Sequence, residues 1–307
     1  MKALVIGGNG FIGSHLVDKL LSEKASVRVL DIYPEKYRLP LKGVDYRYGR
    51  LSDTPFTDEA LADIDIVFHI ASTTVPSTSN INPAADIQEN LIPLVYLLNQ
   101  MIKYEVKKIV FLSSGGAVYG NPEIVPTPET QSLRPISSYG IVKTAMEHYL
   151  LSYGRMYGIK PIIVRPSNAY GPRQGHAGVQ GVIGTLLFKA MTGEVMTIWG
   201  DGSIIRDYVF VEDLIECCYQ ISLKVETGIF NVASGIGYTV KQIVELIAQI
   251  TGASQKIQYE AKRSYDPEKI VLDISKVQLE LGWKPKIDLP DGIRRQWIWF
   301  KEATLVK

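Results

Sequence analysis

The sequence predicts a doubly wound parallel α/β sheet followed by a smaller mixed α/β domain. Three observations carry this expectation. Short apolar runs alternate with segments of helical spacing up to about Arg165. A glycine-rich turn joins the first such run to the first helical segment. After Pro166 the glycines and prolines thicken and the strand-like runs shorten.

The elements follow in order. Lys2-Ala3-Leu4-Val5-Ile6 is a short, mostly apolar run of the kind buried on both sheet faces. It ends in Gly7-Gly8-Asn9-Gly10-Phe11-Ile12-Gly13, after which Ile12, Leu16 and Leu20 keep helical spacing. Val27 to Leu30 is a second strand, ending at Asp31. Ile66 to Phe68 and Lys108 to Leu112 read as further strands, with a helix from about Asn90 to Tyr104 between them. Ser137-Ser138 is placed to cap a long helix reaching about Tyr157, and the strand Pro161 to Arg165 follows. Residues 1–165 are therefore expected to form the first domain. Residues 166–307 form mainly the second, with a stretch of about 205–230 returning to the first. Helices are expected near 180–192, 212–223 and 239–251, and Lys262 to Asp266 reads as an exposed loop. No Ser/Gly linker separates the halves, so they should share an extensive interface.

Composition excludes several classes. With 307 residues, 46% of them hydrophobic and 21% charged, the chain can bury a large core and is not disordered. A net charge of +1 leaves no polybasic field for nucleic acid or an anionic membrane. No apolar run approaches the roughly 18 residues of a membrane span. The first strand starts at Lys2, which leaves no room for a signal peptide. Cys217 and Cys218 are neighbours, poorly placed to bridge, and read as reduced core thiols of a cytoplasmic protein. His15, His69, His148 and His176 are scattered without ligand spacing, so no metal is expected.

The turn Gly7-x-x-Gly10-x-x-Gly13 lies where a dinucleotide pyrophosphate would meet a helix N-terminus and its free N–H groups. Its spacing departs from the usual G-x-G-x-x-G, and a glycine-rich turn without a ligand is the plainer alternative. Asp31 adds the missing context, 18 residues beyond Gly13 at the end of the second strand. A carboxylate there accepts both ribose hydroxyls and repels a 2′-phosphate, which favours NAD over NADP. Arg28, Lys36 and Arg38 are near enough in sequence to keep NADP open.

Tyr139 and Lys143 stand at i and i+4, one turn apart on one helix face. A nearby ammonium favours the phenolate and should lower the tyrosine pKa, making a usable base. The same spacing recurs at Tyr104…Lys108, which runs from a helix into a strand, and at Tyr265…Lys269, which contains Pro267. Only Tyr139…Lys143 opens an amphipathic helix just after the strand that would carry an active-site turn.

These segments together resemble the extended short-chain dehydrogenase/reductase family, in particular its NAD-dependent sugar-nucleotide epimerases and dehydratases. The likeness rests on Gly7 to Gly13, Phe68-His69-Ile70-Ala71, Ser113 to Gly120 (SSGGAVYG) and Tyr139…Lys143. It continues through Arg165 to Pro172 (RPSNAYGP), Trp199-Gly200-Asp201-Gly202, Arg206-Asp207-Tyr208 and Leu281-Gly282-Trp283-Lys284-Pro285. The resemblance implies a Rossmann domain holding NAD through Gly7, Gly10, Phe11, Ile12, Gly13, Asp31, Leu51, Ala71, Asn90 and Lys143. It implies Tyr139 as base, Lys143 as its partner, and Asn168, Arg206 and Arg263 as contacts of a nucleotide-diphosphate sugar. Two guanidiniums suit a pyrophosphate that otherwise lacks a cation. It also implies a homodimer paired through the helices near 90–104 and 138–157.

The departures from the family narrow the reaction. The 4,6-dehydratases carry an acidic pair where this chain has Gly116 and Ala117, and the decarboxylases keep an acid at the Ala117 position. Neither elimination nor decarboxylation is expected. The 4-epimerases place a serine or threonine where this chain has Gly115, so Ser114 is the expected third catalytic residue, with Ser113, Thr73 and Thr74 as alternatives. Gly115-Gly116 also suggests room for a larger sugar substituent. Arg50 stands where relatives often bind adenine with an aspartate, Asp53 reads as the start of the next helix, and Tyr265 replaces the usual glycine before Asp266. The expected activity is C4 epimerisation of a UDP-hexose through a transient 4-keto intermediate. A 4-ketosugar reductase consuming NAD(P)H and a non-catalytic NAD-binding protein are the alternatives.

Overall fold

The structure is a computed structural model and describes residues 1–175, 181–253, 256–262 and 267–305. Its strands are β1 (Lys2–Ile6), β2 (Ser26–Asp31), β3 (Val44–Tyr48), β4 (Ile66–His69), β5 (Lys108–Leu112), β6 (Lys160–Pro166), β7 (Asn168–Tyr170), β8 (Met196–Trp199), β9 (Ile205–Phe210), β10 (Gly228–Val232), β11 (Gly237–Thr239), β12 (Ile257–Glu260) and β13 (Lys269–Ile270). Its helices are α1 (Phe11–Ser22), α2 (Thr54–Leu61), α3 (Pro76–Ser79), α4 (Pro83–Asp86), α5 (Ile92–Lys103), α6 (Ser138–Tyr157), α7 (Val182–Thr192), α8 (Val211–Lys224), α9 (Val240–Thr251), α10 (Ser275–Leu281) and α11 (Leu289–Leu305).

Seven strands form one sheet in the order β10-β6-β5-β4-β1-β2-β3, and every pairing is parallel. Parallel strands need both faces covered, and the pleat divides β1 accordingly. Ala3 and Val5 enter one core with Leu16, Val17 and Leu20 of α1 and Leu214, Ile215 and Ile221 of α8. Leu4 and Ile6 enter the other, with Leu94, Leu97 and Leu98 of α5 and Val142, Met146 and Leu150 of α6. Cys217 and Cys218 lie in the first core as free thiols, and burial pushes both pKa values up. Desolvation of the thiolate leaves both unreactive.

The smaller part packs α7, α9 and α11 against β8 and β9 around Leu186, Ile198, Phe210, Ile243 and Ile293. The stretch about 205–230 divides between the two parts. β10 is an edge strand of the large sheet, whereas Ile205–Phe210 lies in the small one, paired with β7, β11 and β13.

Local chemistry sets the helix ends. Ser137 caps α6 by accepting the Gly140 N–H at 3.2 Å, and Gly158 closes it in the left-handed region at φ 71°. The single helix expected from Asn90 starts differently. Ile87–Leu91 forms a wide π turn before α5 continues. No helix among the described residues is long and apolar enough to cross a membrane.

Candidate active site

Strand order reverses between β1 and β4, so their crossovers leave to opposite faces and open a crevice at the carboxyl ends of the strands. The glycine turn lines it. Gly7 has φ +82°, and a Cβ there would lie 2.8 Å from the backbone N and Cα of Ala71. A Cβ on Gly13 would lie 2.0 Å from the Gly7 carbonyl oxygen, which only glycine avoids. Beside Gly10 a Cβ would meet only Gly7 O, at 3.3 Å, so the space over the turn is open. Gly10 begins α1, leaving the first-turn N–H groups at Phe11, Ile12 and Gly13 without helical acceptors. Such a cradle suits an anion.

Asp31 stands at the rim, where its carboxylate accepts the N–H of Asn9 at 3.0 Å and of Tyr33 at 3.1 Å. The cations that kept NADP open are engaged elsewhere. Arg28 is held by Asp45 at 2.6 Å and donates to the carbonyls of Glu59, Ala60 and Ala62. Arg38 pairs with Asp18 and donates to Ser14 O at 3.2 Å. Lys36 lies over the Tyr37 ring, 5.1 Å from its centroid. The Leu51 carbonyl accepts Thr57 Oγ1 at 2.9 Å, while Asp53 opens α2 and accepts the Arg50 N–H at 3.2 Å.

Asn90 is buried, and its amide is hydrogen-bonded within the protein. Oδ1 accepts the Thr73 N–H at 3.0 Å, while Nδ2 donates to Thr73 Oγ1 at 2.8 Å and Asp86 Oδ1 at 3.0 Å. The π turn swings it onto the loop after β4, which it anchors.

Tyr139 and Lys143 are both buried on α6, and the ammonium lies 5.8 Å from the Tyr139 ring centroid. Lys143 Nζ donates to Leu112 O at 2.8 Å, and it lies over the Phe111 ring at 4.8 Å. The expected lowering of the tyrosine pKa is not found in the protein alone. Burial pushes Tyr139 up to about 12, Ser114 works in the opposite direction, and Asp86 raises it further. Burial likewise draws Lys143 down to about 8, against the attraction of Glu147 and Asp86. Desolvation of the charged form outweighs the pairing at this distance.

The candidates for the third residue separate cleanly. The Ser113 hydroxyl donates to Glu147, in the buried layer behind the site. Thr74 donates to Asp86 at 2.6 Å, and Thr73 accepts from Asn90. Ser114 is the one that acts on the Tyr139 phenol, where it works to lower the tyrosine pKa. Gly115 departs from the expectation of added room. It is not in the left-handed region, and no open space lies beside it. A Cβ there would meet Leu272 Cδ1 at 2.4 Å and the carbonyl oxygens of Pro166 and Arg165 at 3.1 and 3.2 Å. The open position is Gly116, whose Cβ would lie 3.6 Å from Asn168 Oδ1 and 4.0 Å from Ser114 Oγ.

Asn168 on β7 thus stands near Ser114. Arg206 lies on the adjacent strand β9, half-buried, and donates to Ile205 O at 2.9 Å. Of the acids near it in sequence, Asp207 accepts from Ser234, Gly235 and Leu272, and Glu212 faces Arg295. Arg263 and Tyr265 lie outside the described residues. Sequence reasoning missed Glu147, although Tyr139, Lys143 and Glu147 at i, i+4 and i+8 share a face. It also missed Asp86 and Leu272, for which no local pattern exists.

Residues 3–233 match the NAD dependent epimerase/dehydratase family. The chain belongs to this family. Its fold is that of the UDP-glucose 4-epimerase of Thermotoga maritima, solved with UDP-glucose. The TM-score is 0.95 and the identity 37%, over 99% of this chain and 100% of that one. The UDP-glucose 4-epimerase of Thermus thermophilus, solved with NAD, is 36% identical at TM-score 0.93, with 99% and 100% covered. The UDP-N-acetylglucosamine 4-epimerase of Methanobrevibacter ruminantium, in complex with UDP-N-acetylmuramic acid, is 28% identical at TM-score 0.92, with 98% of each chain covered.

This member of the NAD-dependent epimerase/dehydratase family is therefore a nucleotide-sugar epimerase whose cofactor is NAD. The residues present fit that cofactor. The crowding at Gly7 and Gly13 and the space at Gly10 form a cradle that side chains would fill. Asp31, at the end of β2, would offer its carboxylate to ribose hydroxyls.

Proposed function

We propose that the chain interconverts the C4 epimers of a UDP-hexose. The observation that carries the reading is the buried pair of Tyr139 and Lys143 on one face of α6, with the ammonium 5.8 Å from the phenol ring and Ser114 acting to lower the tyrosine pKa. Tyr139 takes the proton of the C4 hydroxyl and returns it after the 4-keto sugar has turned over. Bound NAD supplies a reversible hydride acceptor and a positive ring. Ser114 holds the C4 oxygen as its charge changes, which a desolvated site otherwise resists. Lys143 has donors to spare beyond its bond to Leu112 O and holds the nicotinamide ribose. Asn168 and Arg206, with Arg263, grip the diphosphate. The absence of an acid at Gly116 and Ala117 leaves oxidation and return of hydride as the chemistry.

The reading extends to assembly and compartment. Ile92, Ile141, Tyr149 and Met156 are exposed on α5 and α6, which supports a homodimer paired through these helices. Two buried free thiols support a cytoplasmic protein. A second reading has one specific support: the open position at Gly116 favours acceptance of an N-acetylated sugar.

The test is incubation of the purified enzyme with UDP-glucose or UDP-N-acetylglucosamine without added cofactor, followed by NMR of the products. Retained NAD and formation of the C4 epimer support the proposal. Turnover only with stoichiometric NAD(P)H makes the protein a ketosugar reductase, and no turnover of any nucleotide sugar leaves a non-catalytic binder. Tyr139→Phe should cut turnover by roughly 10²–10⁴ while NAD stays bound.

A further inference from the structure

Behind the site lies a buried polar layer that the proposed reaction does not use. Its centre is Glu147, 1% exposed, one turn beyond Lys143 on α6. Arg165 of β6 grips its carboxylate through Nε at 3.1 and 3.2 Å and Nη2 at 2.6 Å. Ser113 at the end of β5 donates to the same carboxylate. Arg165 continues to the Tyr119 hydroxyl at 2.9 Å, and Tyr119 donates to Asn231 of β10 at 2.8 Å. A buried ion pair is weak evidence for stability, because desolvation offsets most of the attraction. Its placement says more. Ser113 precedes Ser114, and Arg165 precedes Pro166, whose carbonyl accepts the Gly115 N–H at 2.9 Å. Each tie to Glu147 lands one residue from the segment that presents Ser114 to Tyr139.

We propose that Glu147 is a positioning residue of the active site: its carboxylate fixes the strand ends that carry Ser114, and its charge faces Lys143 from one turn along the helix. This rests on the reading of Tyr139, Lys143 and Ser114 given above. Lys143 sits in a dry environment that draws its pKa down to about 8, and Glu147 is the first of the two carboxylates acting against this. The other groups around it are Tyr139 on the same helix, Asp86 from α4, His69 from β4 and Arg165 from β6. Asp86 is committed to Thr74, Asn90 and Ser138. His69 is held neutral by burial and by Lys143, with its pKa lowered to about 3. Arg165 is engaged with Glu147 itself. The carboxylate on α6 is thus the group whose neutralisation would leave the ammonium least supported.

The two parts of the role separate by mutation. Glu147→Gln keeps an acceptor for Ser113 and removes the charge. Ser113→Ala keeps the charge and cuts the tie to β5. Glu147→Asp keeps the charge and shortens the arm. In purified, NAD-loaded enzyme, Glu147→Gln should lower kcat tenfold or more. It should move the limb of the pH–rate profile governed by Lys143 about one unit toward acid, with KM within threefold. The Lys143 ammonium followed by NMR in the cofactor-free protein should titrate lower by the same amount. Ser113→Ala and Glu147→Asp should lower kcat several-fold with that limb unmoved. Wild-type kcat and pH profile per active site in Glu147→Gln and Ser113→Ala would overturn the proposal. If Glu147→Gln does not fold, wild-type kcat in both Ser113→Ala and Glu147→Asp overturns it. Tyr139→Phe is the control: an active Tyr139→Phe removes the reading of the site itself, whereas an inactive one beside unaffected Glu147 and Ser113 variants removes only the role of Glu147.

Discussion

Leu272 fills the space that a side chain at Gly115 would occupy, its Cδ1 lying 2.4 Å from where a Cβ would stand. The neighbouring carbonyls of Pro166 and Arg165 close the remaining sides. Leu272 is itself fixed, since its N–H reaches Asp207 and Thr127 bridges to it. Gly115→Ser should therefore fail to restore the hydroxyl of other 4-epimerases. Overpacking of this kind costs about 1–3 kcal/mol. The variant should melt earlier and lose activity on plain and N-acetylated hexoses alike. A variant that melts like the wild type and gains activity would mean that Leu272 yields and the hydroxyl reaches the sugar.

Ser114 works against the burial that raises the Tyr139 pKa. Ser114→Ala removes this effect and the donor proposed for the C4 oxygen. Turnover should fall roughly 10–10³-fold, as for loss of one preorganised donor. The tyrosine-dependent rise in rate should also shift to higher pH, because the phenolate has lost stabilisation. Full activity with an unshifted profile would send the search to a residue outside the present cluster.

Cofactor choice should respond to Asp31 alone, because Arg28 and Arg38 are engaged with Asp45 and Asp18. Hydrogen bonds to a charged group contribute about 1.5–3 kcal/mol. Asp31→Ala should therefore weaken NAD at least about tenfold while NADP changes little or improves. Titration of the cofactor-free protein with both dinucleotides measures the ratio. Equal affinity of the wild type for NAD and NADP would remove Asp31 from this role.

Stability should fall on acidification through two buried histidines. Burial lowers His15 from 6.5 to about 4, and burial with Lys143 lowers His69 to about 3. The unfolded chain binds these protons near pH 6.5 while the folded chain resists them. Their contribution is therefore complete above pH 6.5 and lost as pH falls toward 4 and 3. For His15 a shift of about 2.5 units corresponds to on the order of 3 kcal/mol. The ring Nε2 donates to Pro172 O at 2.9 Å, so His15→Gln keeps a donor and removes the titration. Melting at pH 7 and 4.5 should show a smaller loss in the variant than in the wild type. Equal losses would place the acid sensitivity elsewhere.

The sequence by itself determined the large sheet, the glycine cradle with Asp31, and the Tyr139–Lys143 pair. Each depends on contacts within a few residues or on a periodicity of two or 3.6, and such signals survive without the fold. Tertiary structure alone decided that Asn90 anchors a loop, because a π turn redirects its side chain toward Thr73 and Asp86. It also decided why residue 115 is glycine, since Leu272 arrives from 157 residues away in the chain. The same holds for the tyrosine pKa. Spacing of i and i+4 announces an ammonium near a phenol, but the depth of burial sets the larger opposing effect, and burial belongs to the packed molecule.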